Sequence, residues 1–268
     1  MVVDLDSRTT RQLTTNLVYD FEPVWSPDGS RIAYTSEYLT GEIREYVMEG
    51  STRTEEEAGD RDILIMNNDG SDLVRLGTSG TTDEQPSWSP DGNKIAFVSY
   101  QGGNSNIWVA DSDGSHASQI TDLPGENWMP AWSPDGSQIA FTSHSTGTWE
   151  INLMDADGGN LRQVTTANEL RSDNWGPVWS PDGEKIAFAG MRGDNWEIYT
   201  MDQEGGNVQR LTDHSSADYE PIWSPDGTRM AFASLRGGRT AVYLMDADGS
   251  GVEALGIHGI PSSWMRTP

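Results

Sequence analysis

Six prolines, Pro23, Pro86, Pro130, Pro177, Pro221 and Pro261, are each preceded three residues earlier by a side chain able to ligate a cation: Asp20, Asp83, Asn127, Asn174, Asp218 and His258. Beside that column stand the carboxylates Glu22, Glu84, Glu126, Asp173 and Glu220. Crowded carboxylates repel one another, and a hard, oxygen-seeking cation relieves the repulsion. The spacing therefore allows a ring of metal ligands around a channel, with Ca2+ as the candidate cofactor. The alternative is a set of Asx turns that introduce strands and leave the acids in water. The same stretches carry Trp128, Trp149, Trp175, Trp196 and Tyr219. Aromatic rings beside carboxylates suit stacking on a cation, a sugar ring or a peptide side chain; loops packing on themselves use them equally well.

Nucleophilic chemistry has little to draw on. The chain has no cysteine and no G-x-S-x-G segment, and His116, His144, His214 and His258 are scattered without H-x-x-x-H spacing. The D-x-D-G segments at Asp111, Asp155 and Asp246 lack the third ligand and the later Glu of an EF-hand loop, and read as structural turns.

What must position these residues is a repeat. W-S-P-D-G begins at Trp25, Trp88, Trp132, Trp179 and Trp223, and a degenerate sixth copy, Pro261-Ser262-Ser263-Trp264, loses the turn. In each full copy Pro presets φ, Asp bonds a nearby N–H and Gly accepts positive φ, so the pentapeptide closes a strand with a tight turn. A second strand follows, rich in β-branched and aromatic residues: RIAYTS, KIAFVS, QIAFTS, KIAFAG and RMAFAS. A third (DILIMN, NIWVAD, EINLMD, EIYTMD, AVYLMD) runs into another turn and a short fourth. Four antiparallel strands per module of about 44 residues, with no helical periodicity, predict an all-β, six-bladed β-propeller forming one domain over residues 1–268. Residues 1–14 read as third and fourth strands and 261–268 as a first strand, so the two termini are expected to complete one blade between them. Such closure leaves no open edge and suits a monomer. An acidic insertion at about 37–60, between second and third strands of the first full blade, reads as a flap over the mouth or a disordered loop.

With 42 Asp and Glu against 17 Lys and Arg, the net charge is −25. That field repels nucleic acid and anionic membranes and suits cations, basic partners or a salty milieu. No apolar run approaches the roughly 20 residues of a membrane span. The start, MVVDLDSRTT, lacks the pattern of a signal peptide; Met1 directly before a strand-like VVDLD leaves a longer precursor open.

The repeated P-x-W-S-P-D-G, I-A-F-x-S and M-D-x-D-G segments resemble the TolB-type, WD-like propeller repeat over nearly the whole chain. Arg192-Gly193 and Arg236-Gly237 fit the family's segment after the second strand; Tyr100-Gln101-Gly102 and His144-Ser145-Thr146-Gly147 depart from it. The resemblance implies a bacterial, partner-binding propeller of the periplasm or cell exterior that takes a protein or peptide at the channel mouth. On these grounds the chain is expected to be a non-catalytic binding platform. The alternatives are a metal-dependent enzyme acting on carbohydrate or phosphoester, and a glycan-binding propeller.

Overall fold

The computed structural model describes residues 2–3, 10–14, 18–48, 51–76, 80–166 and 173–264. Each W-S-P-D-G segment is the hairpin turn its chemistry requires. In the first, Ser26 Oγ and the Ser30 amide donate to Asp28 Oδ1 at 2.7 and 3.0 Å, and Gly29 takes φ 68°. These donors, Ser26 foremost, hold the Asp28 carboxyl down to about 2. The same Ser and amide bonds recur at Asp91, Asp135, Asp182 and Asp226.

The turns organise five four-stranded antiparallel blades. After a short hairpin of β1 (Val2–Val3) and β2 (Thr10–Arg11), the first blade comprises β3 (Asp20–Trp25), β4 (Arg31–Met48), β5 (Ser51–Asn67) and β6 (Val74–Leu76). The second comprises β7 (Asp83–Trp88), β8 (Lys94–Ser99), β9 (Asn106–Asp111) and β10 (Ser118–Gln119). In the third are β11 (Asn127–Trp132), β12 (Gln138–Ser143), β13 (Glu150–Asp155) and β14 (Arg162–Gln163). The fourth has β15 (Asn174–Trp179), β16 (Lys185–Arg192), β17 (Asn195–Asp202) and β18 (Gln209–Arg210). The fifth has β19 (Asp218–Trp223), β20 (Arg229–Ser234), β21 (Ala241–Asp246) and β22 (Glu253–His258). Successive first strands β3, β7, β11, β15 and β19 neighbour one another, so they are the innermost strands.

Stability resides between blades. Second-strand Phe97, Phe141, Phe188 and Phe232 are fully buried, each in a cluster that draws on two adjacent blades. The repeated tryptophans staple these interfaces: Trp88 Nε1 donates to Val24 O and Trp179 Nε1 to Ala131 O of the preceding blade, both at 3.2 Å. The turn prolines also interlock, because a Cβ on Gly136 would lie 3.2 Å from Pro90 Cγ of the blade before.

Five blades correct the expected six. The residues assigned to a sixth blade lack the strands to build one: β1 and β2 are two residues each, and Pro261–Trp264 forms no strand. Residues 4–9 and 265–268 lie outside the described residues. Among the described residues the termini add no strand to a shared blade; instead they pack on the first and fifth blades. Leu13 packs on Ile32, Tyr34, Leu64 and Met66 of the first blade, and Trp264 on Ala231, Val242 and Leu244 of the fifth. Ser263 Oγ donates to Pro23 O at 3.2 Å and accepts from the Trp25 amide at 3.3 Å. Among the described residues no strand of the fifth blade packs on a strand of the first, and Ser263, next to Trp264 on the fifth blade, makes the link to the first.

The insertion prolongs β4 and β5 into a hairpin arm, paired from Glu37↔Arg61 through Ile43↔Glu56 to Met48↔Ser51. About 11 residues per strand at ~3.3 Å each make the arm about 35 Å long. Residues 49–50 lie outside the described residues.

The staples differ in a way that can be measured. Trp132 Nε1 is buried without a partner, whereas Trp179 Nε1 is bonded. Trp179→Phe and Trp132→Phe remove similar volume, so urea unfolding is expected to show Trp179→Phe costing about 1 kcal/mol more, the net worth of one hydrogen bond. Equal losses would contradict the stapling role.

Candidate functional site

The column three residues before each proline opens the innermost strands and pairs with the end of the second: Asp20↔Ser36, Asp83↔Ser99, Asn127↔Ser143, Asn174↔Gly190 and Asp218↔Ser234. Asp83, Asn127, Asn174 and Asp218 are buried, and the two asparagines bond back to the preceding blade. Thr165 Oγ1 donates to Glu150 Oε2 (2.6 Å), and Asn174 Nδ2 reaches back from the fourth blade to that same oxygen (2.9 Å). One blade earlier, Thr121 Oγ1 and Asn127 Nδ2 donate to Asn106 Oδ1 at 3.1 and 3.4 Å.

At Asp218 the column's acid meets a cation: Arg236 Nη2 of the same blade lies 2.6 Å from Asp218 Oδ2, with its guanidinium over Phe232 and Tyr243. Arg192 makes the corresponding bond to Asn174 Oδ1 at 2.9 Å. Asp20 bonds Ser36 Oγ at 2.7 Å. His258 does not join the column. β22 continues past the expected blade junction, pairing His258 with Ala241, and the imidazole is exposed. The polar groups of the column are thus engaged blade by blade rather than on one centre. Among the described residues no three His, Asp or Glu gather so as to hold an ion.

The residue directly before each proline forms an inner ring that the sequence reading missed. Glu22, Gln85, Met129, Gly176 and Glu220 all take positive φ, between 52° and 62°. Each sits in the irregularity where β3, β7, β11, β15 and β19 slip register against the second strand. Left-handed backbone is uncommon outside glycine and is retained only where the surroundings enforce it. Here the bulge residues bond in sequence around the ring. The Gln85 amide donates to Glu22 Oε2 (3.1 Å) and the Met129 amide to Gln85 Oε1 (2.8 Å). Met129 Sδ lies where a Cβ on Gly176 would come within 3.3 Å. Glu220 ends the series; burial, and secondarily the charge of Glu22, push its carboxyl up to about 7. Burial, then Glu84, also raises Glu22, against the opposing bonds from Thr35 and Gln85. Position before proline is the signal that would have identified this ring.

The five acids read as one set therefore occupy different places. Glu22 and Glu220 belong to the ring. Glu84 is nearly buried, bonded by Arg61 Nη1 at 2.9 Å and Tyr100 Oη at 3.1 Å, and the Tyr100 phenol is pushed up to about 12 by burial and by Glu84. Glu126 is exposed, and Asp173 accepts the Trp149 amide at 3.1 Å.

Of the five candidate aromatics, three converge. Trp128, Trp149 and Trp175 lie with ring centroids 4.7–5.3 Å apart, and His144 stacks on Trp149 at 4.8 Å. Trp128 and Trp175 stand two residues before their prolines, and Trp149 comes from the second-to-third strand connection of the third blade. All three are partly exposed. Trp196 is held in the β16–β17 hairpin opposite Met191, and Tyr219 shares a 3.1 Å hydrogen bond with Thr240.

The family model for the TolB β-propeller domain matches residues 49–169 and 167–265. The chain belongs to the TolB β-propeller domain family. A TolB homolog of Chlorobium chlorochromatii is 32% identical over 119 residues, 36% of this chain but only 27% of that relative. Among solved structures, the TolB resemblance extends to the putative TolB of Agrobacterium tumefaciens, 26% identical with TM-score 0.80, covering 98% of this chain and 91% of that one. TolB of Acinetobacter baumannii is 27% identical with TM-score 0.69 over 84% of this chain and 52% of that one. An oligogalacturonate lyase from Vibrio parahaemolyticus, 16% identical with TM-score 0.62 over 96% of this chain and 71% of that one, shares the fold.

The Arg236–Asp218 ion pair within the fifth blade yields a direct test. Arg236→Met strands the buried Asp218 charge, and urea unfolding is expected to register a loss of about 3–5 kcal/mol. Adding Asp218→Asn should recover much of it. A loss under about 1 kcal/mol would show that the ion pair is not structural.

Proposed function

We propose that this TolB-family propeller is a non-catalytic platform that binds an extended, basic polypeptide segment across its channel mouth. One observation carries the reading: the contact cluster of Trp128, Trp149 and Trp175, partly exposed and bordered by Glu126 and Asp173. Its rings touch one another, so the cluster is a preformed, low-entropy surface rather than an empty cage, and such rigid tryptophan patches are where binding energy concentrates. The acidic border and the net charge of −25 favour Lys and Arg on the partner, through steering and through cation–π contact with the outer ring faces. Family membership supports polypeptide as the ligand class.

Calorimetric titration with a 12-residue peptide of alternating Lys and aliphatic residues, its Glu-substituted counterpart and a neutral oligosaccharide tests this. Only the basic peptide is expected to bind, more weakly as salt rises, and Trp149→Ala is expected to weaken it about tenfold or more with Tm checked in parallel. Binding of the acidic peptide equally well, or of the oligosaccharide instead, would overturn the proposal.

A further inference from the structure

One polar contact recurs at the start of the innermost strands, and the third blade leaves it half made. In the fourth blade Asn174 turns Nδ2 back to Glu150 Oε2 of the third at 2.9 Å, and its Oδ1 accepts from Arg192 Nη2 at 2.9 Å. In the fifth, Arg236 Nη2 donates to Asp218 Oδ2 at 2.6 Å. Asn127 opens the third blade at the same register and is likewise buried. Its Nδ2 donates back to Ser105 O at 3.2 Å and to Asn106 Oδ1 at 3.4 Å, which fixes the orientation of the amide. Its Oδ1 is buried and, among the described residues, has no donor. A buried acceptor without a donor costs free energy and is uncommon in folded proteins.

The missing donor is traced to one position. The connection from second to third strand has the same backbone bonds in the third and fifth blades. The Ser145 amide donates to Ser143 Oγ and the Arg236 amide to Ser234 Oγ, both at 3.3 Å. The Gly147 and Gly238 amides then donate to the carbonyls of His144 and Leu235 at 3.2 and 2.9 Å. Ser145 therefore stands where Arg236 stands, with a side chain too short to reach as an arginine does. Arg192 and Arg236 are themselves partly exposed, so a guanidinium on this oxygen stays in touch with solvent. The open contact also adjoins the aromatic cluster: Trp128 Nε1 donates to Ser105 Oγ at 2.9 Å, so Asn127 and Trp128 rest on one residue, and His144, next to Ser145, stacks on Trp149.

We propose, resting on the reading of the mouth as a polypeptide platform, that the partner supplies this donor in trans: an arginine of the bound segment enters beside Ser145 and donates to Asn127 Oδ1, as Arg192 and Arg236 donate to their own blades. Arginine rather than lysine follows from the two contacts already made. Each uses a planar guanidinium that donates to the oxygen while lying over aromatic rings, 5.0 Å from Tyr199 for Arg192 and 5.5 Å from Phe232 and Tyr243 for Arg236. A lysine ammonium is a compact, more strongly hydrated charge and gives up more water to enter the same place. The acids Glu126 and Asp173 draw either cation toward the mouth; Asn127 discriminates between them.

Calorimetric titration with two 12-residue peptides at one ionic strength, identical except that arginine in one replaces lysine in the other, tests the contact. The parent protein is expected to bind the arginine peptide about tenfold or more tightly. Ser145→Arg supplies the guanidinium from within, so the preference should vanish. Its unfolding midpoint should also exceed that of Ser145→Met, similar in length but without the donor, by about 2 °C or more. Equal affinities of the parent for the two peptides, the result expected if water serves Asn127, would overturn the arginine contact and leave the platform reading standing. A preference that survives in Ser145→Arg, or a midpoint no higher than that of Ser145→Met, would overturn it as well. If neither peptide binds, the platform reading fails and the arginine contact fails with it.

Discussion

One extra residue in the innermost strand of every blade governs where the chemistry goes. A regular strand alternates its side chains, so the residues three and one before each proline would share a face. The left-handed bulge breaks that alternation. Around it the first of these, Asp20 to Asp218, pairs with the end of the second strand, the second, from Glu22 to Glu220, takes the left-handed conformation, and Trp128 and Trp175 stand between them. The proline and tryptophan beyond it then enter the inter-blade core. Four neighbouring positions thus acquire four different roles from one backbone irregularity repeated five times.

The bulge explains what could be seen in the sequence and what could not. The blades were legible because W-S-P-D-G and the apolar second and third strands announce turn chemistry and core packing at fixed intervals. Their number was not, because Pro261-Ser262-Ser263-Trp264 imitates the start of a blade yet serves as a clasp over the fifth blade's open flank. His258 fell with the same error. Strand alternation contains no sign of a bulge, so the sequence could not show that Asn127 and Asn174 bond across blades. The tryptophans were found by type, but only three-dimensional convergence separates Trp128, Trp149 and Trp175 from Trp196 and Tyr219. Nothing in the acidic stretch at 37–60 distinguishes a ribbon from a loop, since β-ladder pairing depends on register rather than on composition.

Charge is handled differently on the two faces. On the turn face, carboxylates such as Asp28, Asp91 and Asp135 are satisfied by hydroxyls and amides within their own turns and lie below the ordinary range. On the innermost strands, Glu22 and Glu220 lie above it, each raised first by burial. The first arrangement ties negative charge to local structure; the second holds two acids in a setting that favours the protonated form.

The most direct measurement of that account is photo-crosslinking of the lysine-rich peptide, carrying a photoreactive residue at its centre, with the attachment points mapped by mass spectrometry. The account predicts crosslinks at Glu126, Trp128, His144, Trp149, Asp173 and Trp175 on the mouth of the third and fourth blades. Crosslinks concentrated instead on the W-S-P-D-G turns, or spread evenly over the acidic surface, would contradict it.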